Sequence, residues 1–292
     1  GKSLIALSRM NTPAKIVLSV AAVGGLVGLS FWLVPKWLPQ TSLDGVLGFS
    51  PNGPLPIIGI TQTRHADVEG TAGCDVRLLY PQIEDDGTLS ISSGAREKMN
   101  EAITKQVADF FGTNTVSLDE AATAFVTSCQ ADLAEAMRWT NDMTDDPYPL
   151  LTNGWESEIG YDIKLNDGKY LSLGIANSLS TGGAHPNITE LFLVFDVETG
   201  ALVTLRDVIP ADQLMAFVVR EKQWLVDTMA DQLFEELTSE FAAFVATPTQ
   251  EETDRYVDDA MFYLTSTDIV TFYNSYSIAP YTTGPIEVMS AR

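Results

Sequence analysis

The 292-residue chain has few side chains of the kinds that bind metals or attack carbonyls, and many that carry negative charge. Its two histidines, His65 and His185, lie 120 positions apart, with no His-x-x-x-His or His-Glu-x-x-His spacing around either. Two cysteines, Cys74 and Cys129, are too few for the usual zinc, haem-attachment or iron–sulfur ligand sets. No Gly-x-Ser-x-Gly elbow and no phosphate-binding Walker loop occurs. Of the charged residues, 39 are Asp or Glu and 17 are Lys or Arg, a net −22. Paired carboxylates for glycoside cleavage need a cleft that fixes their separation, and no recognisable frame surrounds any pair here. The residue types therefore point to a non-catalytic binding domain without metal or cofactor. Nucleic acid is excluded as a partner, because replacing its counterions needs a cationic surface.

Two short strings carry the remaining candidates. In Thr181-Gly182-Gly183-Ala184-His185-Pro186-Asn187, the glycines permit positive φ and close backbone approach. Pro186 biases His185 toward an extended backbone, which fixes the direction of the ring. Such a histidine serves either to bond neighbouring backbone or to meet a ligand. In Tyr276-Ser277-Ile278-Ala279-Pro280-Tyr281-Thr282-Thr283-Gly284, Pro280 and Gly284 shape a bend, and Tyr276 and Tyr281 suit core filling or partner contact. Gly182, Gly183, His185, Pro186, Asn187, Tyr276, Pro280 and Tyr281 are the binding candidates.

Apolar residues make up 45% of the chain and charged residues 19%, a composition that folds. Ile16 to Val34 is 19 residues without a charge, about 28 Å as a helix, which matches a bilayer's hydrocarbon core. Pro35 ends the run, and Trp32 and Trp37 bracket its exit. Lys2, Arg9 and Lys15 precede it, so the positive-inside rule places residues 1–15 in the cytoplasm and everything after about Pro35 outside. The competing reading is a cleaved signal peptide, but the run is long for one and no small-x-small cleavage site follows before Leu43. Ala21, Gly24, Gly25 and Gly28 put small residues on one side of the span, a face that admits another helix or simply reflects the frequency of glycine in membranes. Residues 1–40 hold four bases and no acids, which leaves 13 bases against 39 acids outside, a net −26. That charge serves solubility, or it attracts cationic partners with a strength that salt reduces.

Residues 35–73 read as a linker. Within 74–152, Cys74, Val76, Leu78 and Tyr80 alternate as a strand, and helices are expected over Arg96 to Phe111 and from the capping box at Ser117 and Glu120. Cys74 on the strand's apolar face and Cys129 on the second helix's apolar stripe look into one core; outside the cytoplasm they pair, or they stay as two buried thiols. Within 153–292, Ile159 to Leu165 and Leu171 to Ile175 form a hairpin about Asn166-Asp167-Gly168, and Ile188 to Val197 form another with Leu202 to Leu205. A long helix is expected from Pro210 to Leu237, and strands return between Phe262 and Val288. The fold class is α+β: an antiparallel sheet covered by helices on one face, preceded by a single N-terminal transmembrane helix.

The two strings, with Tyr80-Pro81-Gln82-Ile83 and Met99-Asn100-Glu101-Ala102-Ile103, resemble the RsiV-like extracytoplasmic domain, over roughly Cys74 to Val288. That family occurs in membrane-anchored anti-sigma factors whose ectodomain binds lysozyme, and beside a peptidoglycan deacetylase catalytic domain. The resemblance implies a basic protein such as lysozyme as partner. Fifteen residues before the span are too few for a packed cytoplasmic domain, so the alternative is an accessory subunit of a larger inner-membrane complex.

Overall fold

A computed structural model describes residues 54–85, 87, 91–112, 117–143, 154–182 and 185–292. The expected span Ile16–Val34, with Ala21, Gly24, Gly25 and Gly28, lies outside them, as does Gly183. Among the described residues, no helix is long and apolar enough to cross a membrane.

Five strands, β1 (Ile57–Ala66), β2 (Cys74–Ile83), β3 (Trp155–Asn166), β4 (Tyr170–Ser180) and β5 (Asn187–Asp196), form one sheet in the order of the chain. Every neighbouring pair is antiparallel except β2 and β3, which run parallel. Between those two lie helices α1 (Ser93–Asp109) and α2 (Leu118–Met143). A parallel pair needs such a crossover, and the two helices supply it. The expectation of a wholly antiparallel sheet is thus corrected at this pair.

The helix starts follow their caps. Ser92 Oγ accepts the Ala95 N–H at 3.1 Å, and Ser117 Oγ accepts the Glu120 N–H at 3.3 Å. Met99, Ile103 and Val107 of α1 and Cys129 and Leu133 of α2 are buried against Val76, Leu78, Ile159, Leu171, Leu173, Ile175 and Phe195. Cys74 and Cys129 form a disulfide with Cα atoms 6.1 Å apart, tying β2 to α2. The phases of strand and helix that put both sulfurs in one core were correct.

Part of the stretch read as linker is strand β1. It pairs along its length with β2 but is half-buried or exposed throughout, so its sequence lacks a clean alternation. The turn after β5 also differs from expectation: Leu202 makes only an isolated bridge to Phe195, and Leu205–Val208 is one helical turn.

The helix expected from Pro210 to Leu237 is two helices. α3 (Leu214–Met229) ends before a break, and α4 (Glu235–Ala246) starts after Phe234, whose extended backbone donates its N–H to Ile278 O at 3.0 Å. Tertiary bonding to that loop and burial of Leu233 fix the break. A further helix, α5 (Gln250–Asp259), is capped by Thr249 Oγ1; its charge-dense sequence hides a stripe of Thr253, Tyr256 and Val257.

A second, three-stranded antiparallel sheet holds β6 (Met261–Leu264), β7 (Asp268–Tyr273) and β8 (Ile286–Ala291). It packs behind the large sheet, where Leu165, Tyr170 and Val194 meet Phe262, Leu264 and Ile269 with Phe217 and Val218 of α3. Fully buried Ser172 accepts the Leu264 N–H at 3.1 Å across that boundary. α1 and α2 therefore cover one face of the large sheet, while β6–β8 and residues of α3 pack against part of the other, so the expectation of helices on one face only is corrected.

Candidate functional site

The loop between β7 and β8 comes back to the start of β5, and there the two strings meet. The His185 and Tyr281 rings stack with centroids 3.9 Å apart and planes 10° from parallel. Tyr276 lies against the same Tyr281 at 5.3 Å, tilted by 32°. Tyr281 is thus the middle member of a three-ring ladder. Its hydroxyl donates to Pro186 O at 3.3 Å, which ties the bend after Pro280 to the segment before β5. His185 Nδ1 lies 3.3 Å from the same Pro186 carbonyl.

The outer members of the ladder face solvent. Tyr276 is 58% exposed, His185, Asn187 and Pro280 are exposed, and Ile188 at the start of β5 is 44% exposed. Aromatic rings fixed by neighbours, with little entropy left to lose, are the residue type that dominates protein interfaces. Gly182 adopts φ 79° just before the segment, as its position in the turn required. Of the eight binding candidates, six surround or form this patch, Gly182 lies in the turn behind it, and Gly183 is outside the described residues.

Asn274 escaped the sequence reading. Its Oδ1 accepts the Glu190 N–H at 2.7 Å and its Nδ2 donates to Glu190 O at 2.8 Å, so one amide side chain stands in for a strand partner on the outer edge of β5. The only sequence signal was turn composition, Asn274-Ser275, ahead of the string. Beneath this point, burial pushes the Glu190 carboxyl above the ordinary Glu range; Lys164 opposes the shift and Asp162 and Glu287 add to it.

A second polar group is wholly internal. Glu221 of α3 is fully buried and accepts from Tyr256 Oη at 2.8 Å, Ser290 Oγ at 3.1 Å and Thr271 Oγ1. Burial raises its pKa, and the three hydroxyl donors hold the shift down. Because every oxygen faces a donor and none faces a cleft, this network ties α3, α5, β7 and β8 together. Among the described residues, no group of three His, Cys, Asp or Glu side chains is arranged to hold a metal ion.

The fold and site define a class: a two-sheet α+β domain that presents a stacked aromatic surface patch. Residues 221–289, from the buried glutamate into β8, match the DUF3298 family, described as a protein of unknown function and related to RsiV-like domains. No curated protein matches the chain. A crystal structure of a DUF3298 family member from Bacteroides fragilis is similar, at 19% identity and TM-score 0.56, with 82% of this chain and 91% of that chain covered. A DUF3298 family protein from Pseudomonas aeruginosa is similar at 18% identity and TM-score 0.51, over the same shares of each chain. At these identities the likeness is one of fold.

Proposed function

We propose that the chain is a single-pass, membrane-anchored envelope protein whose acidic, non-catalytic ectodomain binds a cationic protein through the His185–Tyr281–Tyr276 patch. Lysozyme is the partner suggested by the resemblance to RsiV-like domains. The observation that carries this reading is the meeting of two strings, about 90 residues apart in sequence, in one exposed and pre-ordered ring ladder. The net −26 beyond residue 40 steers a basic protein toward the domain, and Tyr276 offers a ring face to a Lys or Arg of that protein. The alternative role, an accessory subunit docked through Gly24 and Gly28, rests on the small-residue spacing within the apolar run.

The test is titration of hen egg-white lysozyme onto the immobilised full chain at about 0.05 M and about 0.5 M salt, where screening differs strongly. Binding should weaken with salt, and Tyr276→Ala should weaken it about tenfold or more at low salt. No binding at low salt removes lysozyme as the partner. Binding that Tyr276→Ala and His185→Ala leave unchanged removes the patch.

A further inference from the structure

Tyr276 has φ 68°, and among the described residues it is the one non-glycine residue with positive φ. For a bulky side chain this conformation costs free energy, and it persists only where surrounding bonds over-determine it. Those bonds converge on Asn274. Its side chain is fixed to the backbone of Glu190 by the two amide bonds described above. Its own carbonyl accepts the Ser277 N–H at 3.0 Å and also the Ser277 Oγ–H. The turn that contains Tyr276 is thus closed on both sides of the tyrosine and riveted to β5.

The ring gains little from being held there. It is 58% exposed and belongs to none of the apolar clusters of the core. A residue with an unfavourable backbone and a solvent-facing ring is poorly explained by stability. Glycine or asparagine would occupy the same φ more readily.

We infer that Asn274 is the positioning residue of the patch: it clamps the turn to Glu190 so that Tyr276 is held in a left-handed conformation, with its ring pre-ordered on Tyr281 for a partner. The inference rests on the binding reading above for the word partner, and on geometry alone for the clamp. Its chemical content is that ordering cost is met before binding, so losing the clamp weakens the complex without removing any contacting side chain.

Two variants of the full chain test it, with lysozyme as the probe and aromatic NMR as an independent readout. Asn274→Ala should leave the protein folded while the Tyr276 and His185 ring resonances move toward unstacked positions. Lysozyme affinity should fall about tenfold, chiefly through faster dissociation. A merely stabilising asparagine would lower the melting temperature and leave the folded-state ring resonances where they are, and that result overturns the inference. Tyr276→Gly relieves the backbone and should melt no lower than the parent while losing lysozyme binding. A melting temperature several degrees lower would show that the ring is there for stability, and that also overturns it. If the parent itself fails to bind lysozyme, the partner assignment falls, and the ring resonances of Asn274→Ala decide the clamp alone.

Discussion

Reducing the Cys74–Cys129 bond removes a constraint from the unfolded chain, and the size of the effect follows from the loop it closes. The cysteines are 55 residues apart in sequence. In the chain-entropy treatment a loop of that length costs the unfolded state about 14 cal/mol/K, or about 4 kcal/mol at 25 °C. For a domain of this size, each kcal/mol moves the melting temperature by roughly 2–4 °C, so the reduced protein should melt roughly 8–16 °C lower. Both sulfurs are buried, at 0% and 2% exposure, so the reductant must be applied in mild denaturant and the protein refolded before measurement. Urea unfolding of the two forms gives the free-energy difference directly, and the slope should rise for the reduced form because its denatured state is more expanded. Keeping both sulfurs in place avoids the cavity that a Cys-to-Ala change would add. A shift below about 2 °C would refute the reasoning, since it would mean that the unfolded chain holds β2 and α2 together without the bond.

Leu173→Ala, at a fully buried position in the strand beneath α1 and α2, should cost about 2–5 kcal/mol in urea unfolding, with the slope unchanged. Glu221 has a folded pKa above its unfolded one, so its contribution is present at low pH and is lost as pH rises from the ordinary Glu range through the folded value. Glu221→Gln should therefore flatten stability against pH above the ordinary Glu range, as read from unfolding midpoints. His65 bridges Asp67 at 3.1 Å and Asp75 at 2.9 Å, and those hydrogen bonds raise its pKa. Its stabilisation is complete below its unfolded pKa and fades as pH rises through the folded one, a contribution that His65→Gln should remove from melting scans taken upward through the ordinary His range.

What could be read from the sequence was whatever local chemistry decides. The hairpin of β3 and β4 follows from alternation and the turn residues Asn166 to Gly168, and α2 follows from Ser117. The disulfide followed from two phases pointing into one core. What escaped was set by partners distant in sequence. Strand β1 is an edge strand whose exposed residues need not alternate, and α5 buries only a narrow stripe beneath a charged surface. The break at Phe234 depends on Ile278, and Asn274 has meaning only once β5 lies beside it. At the candidate site the rings were legible as residue types, while their stacking and the clamp behind Tyr276 were not.

The parallel pairing of β2 with β3 also sets the longest loop that assembly of the sheet has to close. β1 and β2 can close as a hairpin, and β3, β4 and β5 as a meander, each from neighbouring residues. Joining the halves requires Cys74 to meet Trp155 across an intervening stretch that includes both helices, a long loop closure whose entropy must be met before the contacts reward it. The Cys74–Cys129 bond lies wholly within that stretch and its boundary strand, so once formed it shortens the remaining loop to the segment from residue 129 to 155. Oxidation thus acts on the speed of folding as well as on its end point: the two halves of the sheet should join faster in a chain whose cysteines have already paired.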